Sequence, residues 1–144
     1  MKTILVFASL IATLTALSAA PLTWSTDLSA TLAKAKESKK LVLANFTGSD
    51  WCSWCIKLKK EIFDQKEFAT YAEKNLLLVE IDFPRKKAQT VEVKKANRVL
   101  SEKYAIEGFP TVVILNSEGK ELGKLGYMES GPKGFIAEVE KLRK

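Results

Sequence analysis

The 144-residue chain has no histidine and only two cysteines. Without histidine it lacks the commonest metal ligand and the usual base near neutral pH. Without a third cysteine, a monomer falls short of the four Cys or His ligands that structural zinc generally takes. A zinc site would have to recruit carboxylates, or thiolates from a second copy. The shortage of cysteine also excludes a scaffold stapled by several disulfides. No metal and no cofactor are expected. The length leaves room for one domain, and no repeat or long linker divides it. The 23 basic residues exceed the 17 acidic ones, for a net charge of +6. That excess bears on solubility and steering more than on fold. It comes with no recognition helix, finger or aromatic sheet motif, so nucleic acid is not an expected partner.

The first twenty residues are read as a signal peptide and set apart from the fold. Lys2 makes a short basic start, Ile4–Leu17 is apolar and broken only by Ser and Thr, and Ser18 and Ala20 are small residues at the spacing a signal peptidase reads. A cut after Ala20 would leave Pro21 directly beyond it, so a cut after Ser18 is an alternative. An uncleaved membrane anchor is the competing reading, and both place residues 21–144 outside the cytoplasm, where disulfides persist. The expected organisation is therefore a signal peptide over 1–20 and a single domain over 21–144.

Both cysteines lie in one stretch that organises the rest. Leu41–Ala44 and Phe46 read as a buried strand, Thr47–Asp50 as a turn and helix cap, and Cys52 and Cys55 stand three positions apart at the start of a helical pattern. A cysteine at a helix N-terminus meets unpaired backbone N–H groups and the positive end of the dipole, which favour thiolate over thiol. The second cysteine, nearly one turn on, is placed to attack a mixed disulfide made by the first. An inert structural bond is the plainer alternative, although closing so short a loop removes little unfolded-chain entropy.

Elsewhere the pattern alternates helix and strand. Ser25–Asp27 caps a helix to about Glu37, with Leu28, Leu32 and Ala35 as its apolar stripe. One long helix or two successive helices cover 52–74, with a break at Asp64–Gln65. Leu76–Ile81 reads as a strand buried on both faces, which requires helices above and below the sheet. The helical pattern from about Thr90 to Tyr104 puts Val93, Ala96, Leu100 and Tyr104 on its inner side. The basic run Arg85–Lys87 before it reads as a solvated surface, or as a docking patch for an acidic partner or membrane. Val112–Leu115 and Lys120–Leu125 form a hairpin around Asn116–Gly119, and a final helix carries Phe135, Ile136, Val139 and Leu142. Trp24 is read as a packing residue.

Trp51–Cys52–Ser53–Trp54–Cys55 with its preceding strand, together with Gly108–Phe109–Pro110–Thr111 before the hairpin, resembles the thioredoxin superfamily. Phe46–Cys52 followed by Ile81–Asp82–Phe83–Pro84 is more closely similar to a bacterial exported thioredoxin-like group. The resemblance covers nearly all of 21–144. It implies an α/β fold with a central mixed β-sheet flanked by helices, Cys52 exposed at a helix start, and a cis Pro110 facing it. It also implies a substrate groove lined by Phe109 and Pro110 and rimmed by Trp51 and Trp54. Two departures touch redox tuning. Ser53–Trp54 stands where typical thioredoxins carry Gly-Pro. Asn45 stands where many carry a buried acid, and an amide cannot accept a proton as a carboxylate does. Asp50 is near in sequence, but its turn position makes it a weak substitute.

The implied activity is thiol–disulfide exchange through Cys52 and Cys55 with protein thiols or disulfides, and a membrane redox partner is a candidate for recharging the pair. A redox-sensitive client-binding or maturation module is the alternative, and a Cu(I) chaperone a third. Direction of exchange, client and oligomeric state are not written in the sequence.

Overall fold

The computed structural model describes residues 21–144; the signal-peptide reading falls on 1–20 and lies outside the described residues. A short strand β1 (Trp24–Ser25) leads to α1 (Leu28–Ser38) and the central strand β2 (Leu41–Thr47). Helix α2 (Ser53–Leu58) runs directly into a π-helical turn at Lys59–Phe63, followed by α3 (Lys66–Asn75) and β3 (Leu76–Asp82). After α4 (Val91–Lys103) come β4 (Thr111–Leu115), β5 (Glu121–Leu125) and α5 (Gly131–Leu142).

The five strands form one mixed sheet in the order β1-β3-β2-β4-β5. β3 lies parallel to β1 and β2, whereas β4 lies antiparallel to β2 and β5. This is the thioredoxin-like α/β arrangement expected from the sequence. Its central strand owes its position to composition: Val42–Thr47 is buried throughout, so β2 needs a neighbour on each edge and cover on each face. One face packs Leu43, Leu78, Val112 and Ile114 against Leu58, Phe68 and Phe135 from the helical layer of α2, α3 and α5. The other packs Val42, Phe46, Val79 and Val113 against Leu28 and Ala35 of α1 and Tyr104 at the end of α4.

Local chemistry sets the element ends. The Asp27 carboxylate caps α1 by accepting from the Ala30 N–H at 2.9 Å, and the Thr90 hydroxyl caps α4 by accepting from Val93 N–H at 3.2 Å. Gly119 takes a φ of 79° in the β4–β5 hairpin, where the Asn116 side chain accepts from Glu118 and Lys120 N–H. Trp24 packs on Phe63 with ring centroids 5.2 Å apart, as the sequence reading has it.

Helix α4 keeps Leu100 and Tyr104 of its expected apolar stripe in the core but not Val93 and Ala96. Val93 and Ala96 face solvent, as do Val99 and the 76% exposed Val91, while Asn97 is buried. The reason is a hydrogen bond: Asn97 Nδ2 donates to the Asp82 carbonyl at 2.9 Å, fixing the end of β3 to the helix. A satisfied buried amide thus orients α4, and its valines are left outside.

Candidate active site

The turn after β2 delivers Cys52 to the N-cap of α2, with extended backbone (φ −83°, ψ 107°). Its sulfur accepts from the Cys55 N–H at 3.2 Å, so one of the helix's otherwise unpaired donors points at the reactive atom. Cys52 and Cys55 are joined as a disulfide. The expectation of an exposed Cys52 is corrected: the residue is only 7% exposed, its sulfur bonded to Cys55 and its backbone N–H donating to the Gly48 carbonyl at 2.9 Å within the turn. Cys55 is 4% exposed and receives the Gly48 N–H at 3.5 Å. One sulfur thus sits at the helix tip, and the other lies behind it in the body of the fold.

The aromatic residues named from sequence separate into two groups. Trp51 meets Phe109 edge-on at 6.1 Å, and Phe109 stacks on Phe83 at 5.0 Å. The Trp51 indole N–H donates to the Phe83 carbonyl at 2.8 Å, while the Arg85 guanidinium covers the ring at 3.7 Å. The peptide bond between Phe109 and Pro110 is cis. Trp54 stands apart on the outer side of α2, 54% exposed, against Tyr127 at 5.3 Å. The Lys57 ammonium lies over both of those rings, and the Tyr127 hydroxyl donates to Glu61 at 2.6 Å. The Tyr127 hydrogen bond holds Lys57 in its charged form above the usual lysine range, and Glu61 keeps Tyr127 protonated. Tyr127, Lys57 and Phe83 were not singled out as site residues by sequence reasoning. Phe83 lies inside a quoted motif, but Tyr127 falls between the hairpin and the final helix, where no motif marks it. Ser53 is the exposed first residue of α2.

The two acids flanking the turn brace it. Asp82, at the end of β3, accepts from Ser49 N–H at 2.9 Å and from the Ser49 hydroxyl at 2.5 Å. Asp50 accepts from the backbone N–H groups of Arg85, Lys86 and Lys87 at 2.9, 2.8 and 2.8 Å. Its carboxylate is therefore committed to the 85–87 loop, and Asp50 does not line the cavity behind Cys55. These backbone donors, Arg85 first, hold the Asp50 carboxyl below the ordinary carboxylate range. A lowered folded-state value means a stabilising contribution that is complete above the unfolded value of about 3.9 and is lost as pH falls through the folded one. Asp50→Ala is accordingly expected to lower hydrogen-exchange protection severalfold at Arg85–Lys87 and leave the β2–β4 amides unchanged. Unchanged exchange at 85–87 would show that the loop holds without its anchor.

Asn45, on β2, is buried at 6% exposure, and its Oδ1 has no hydrogen-bond partner among the described residues. It lines a cavity of about 730 Å³ together with Cys55, Trp24, Thr47, Lys59 and Glu80. No group of three or more His, Cys, Asp or Glu residues among the described residues is arranged to hold a metal ion.

Comparison with known proteins agrees with this geometry. Residues 28–143 match the thioredoxin-like domain family. The chain is 37% identical over 124 residues to the disulfide bond reductase DsbH of Chlamydia pneumoniae, an alignment covering 86% of this chain and 74% of that protein. It is 29% identical over 119 residues to the thiol:disulfide interchange protein DsbD of Vibrio vulnificus, covering 81% of this chain but only 18% of DsbD. Among solved structures, a DsbH oxidoreductase superposes with a TM-score of 0.84 at 33% identity over 94% of each chain. The paired sulfurs at the head of α2, the sheet that carries them and these likenesses agree, and the chain belongs to the thioredoxin-like domain family as a bacterial thiol–disulfide oxidoreductase.

Proposed function

We propose that this oxidoreductase works in the periplasm as a reductase of disulfides in exported proteins, with residues 1–20 directing export and 21–144 forming the working domain. The observation that carries this reading is the placement of the two sulfurs, Cys52 at the N-cap of α2 and Cys55 inside the helix on the wall of the inner cavity. The 37% identity to a disulfide bond reductase supports the direction.

In the reduced enzyme the Cys52 thiolate attacks one sulfur of a substrate disulfide. A Cys52–substrate bond forms, the substrate S–S bond breaks, and the other substrate sulfur leaves as a thiolate and takes a proton. Cys55 then loses its proton and attacks Cys52 Sγ. The Cys52–Cys55 bond forms, the mixed disulfide breaks, and the second substrate thiol is released. Two electrons pass from the enzyme dithiol to the substrate. Phe109, Pro110 and Trp51 hold the substrate segment beside Cys52, and Trp54 with Tyr127 forms an outer apolar contact. A membrane-anchored dithiol donor restores the reduced pair.

Equilibration of the purified 21–144 domain with defined glutathione ratios, followed by thiol trapping and mass spectrometry, tests the direction. A reductase is expected to give a potential in the thioredoxin range, about −270 mV. A value near −120 mV would make the protein an oxidant of folding clients and overturn the proposed direction.

A further inference from the structure

Release of substrate requires Cys55 to lose a proton while enclosed, and the Asn45 amide cannot accept it. The structure places a carboxylate beside that position. In the parallel β2–β3 ladder Asn45 is the register partner of Glu80, the one acidic residue in the apolar course of β3 before its terminal Asp82. Asn45, Glu80 and Cys55 line the same cavity, which opens between the sheet and the α2 layer. Asn45 is buried, and its Oδ1 is without a protein partner, although a buried amide oxygen is costly to leave unbonded. A polar, roomy cavity is where such an atom is satisfied by solvent. These features are one arrangement: an enclosed thiol, an unpaired acceptor and a half-buried carboxylate around a shared space.

We propose that Glu80 is the proton acceptor for Cys55, acting through solvent held in this cavity by Asn45. When Cys55 attacks Cys52 Sγ, its proton passes to the Glu80 carboxylate as the Cys52–Cys55 bond forms and the substrate thiolate departs. The protonated Glu80 then gives its proton up to solvent, and in the reverse reaction it protonates the leaving Cys55 thiolate. The acid expected on β2 is thus supplied from the adjacent strand.

The electrostatic surroundings suit the role. Burial, first, and the nearby Asp82 charge raise the Glu80 carboxyl above the ordinary range, while Lys87 and Lys59 oppose the shift. Lys59, Asp64 and Lys66 are the other charged groups around the cavity, contributed by the π-helical turn, the residue after it and the start of α3. A carboxyl raised toward the working pH is better matched to exchanging a proton with a thiol than an ordinary one.

The inference rests on the roles assigned above to Cys52 and Cys55, so the two steps are measured separately. Stopped-flow formation of the Cys52 mixed disulfide with a labelled peptide disulfide reports the first step, and release of the labelled thiol reports the second. Glu80→Gln is expected to leave the first within about twofold and slow the second about 100-fold at pH 7. The pH dependence of the second step is expected to move from the Glu80 range up toward the thiol range, about 8.5. Glu80→Asp, which keeps the carboxylate, is expected to recover much of the rate. A failure of the first step in the unsubstituted enzyme would overturn the Cys52 assignment itself. A second step in Glu80→Gln with unchanged rate and unchanged pH profile would overturn the Glu80 proposal alone. A measurement independent of variants is the Glu80 carboxyl titration by carbon NMR, expected to differ between disulfide and dithiol forms. Identical titration in the two forms would also overturn it.

Discussion

Cys52→Ser is expected to reduce disulfide turnover to the uncatalysed rate. The reason lies in the placement of the two sulfurs. Cys52 Sγ occupies the N-cap of α2 and receives a backbone N–H, an environment that stabilises negative charge on that atom. A serine hydroxyl would accept the same hydrogen bond, so the helix keeps its cap, but it ionises far too weakly to attack a disulfide. Cys55 is not placed to substitute, because it lies inside α2 behind the capping position and lines the inner cavity. Thermal stability is therefore expected to change little while activity disappears. Insulin reduction monitored with a dithiol donor is a direct assay, and turnover above the donor-only control would remove Cys52 from its assigned role.

Cys55→Ser is expected to convert the enzyme into a trap. The first attack still proceeds, since the Cys52 environment is intact, but the resolving nucleophile is gone. Within the wild-type enzyme the second sulfur is held next to the first, and such intramolecular placement competes with any external thiol at very high effective concentration. Its loss should lengthen the life of the mixed disulfide roughly 100-fold or more in the presence of millimolar external thiol. Non-reducing electrophoresis of the variant after exposure to an extract of exported proteins should show discrete adducts that collapse on reduction. Adducts no longer-lived than those of the wild-type enzyme would mean that resolution does not depend on Cys55.

The parts of the fold legible in the sequence were those whose signals are local. Leu41–Thr47, the turn after it and the Cys52–Cys55 spacing lie in one short stretch, where burial, turn chemistry and helix capping can be read side by side. The Asn116–Gly119 hairpin was legible for the same reason. What escaped was set by partners far along the chain. The inward side of α4 follows from Asn97 reaching the Asp82 carbonyl, and a periodicity of apolar residues carries no trace of that bond. Asp50 was weighed for redox tuning from its proximity in sequence, whereas its carboxylate is taken up by the 85–87 backbone. The resemblance implies a groove rimmed by both Trp51 and Trp54. Trp51 lies in the turn before α2 and meets Phe109, whereas Trp54 lies inside the helix and meets Tyr127. Glu80 is a polar break in an otherwise apolar strand, and nothing local in the sequence marks it for a role. Its pairing with Asn45 depends on strand register, which only the assembled sheet reveals.

The disulfide closes a loop with a sequence separation of only 3, wholly inside the head of one helix. Such a bond constrains the unfolded chain little, and neither packed face of the sheet depends on it for closure. Oxidation, reduction, folding and unfolding form a closed thermodynamic cycle. Any interaction that favours the folded dithiol over the folded disulfide must therefore reappear, in full, as a shift of the folded protein's potential away from that of the unfolded chain. Melting the protein in its two oxidation states would consequently weigh the influence of the surrounding fold on its redox chemistry, with no electrode and no substrate.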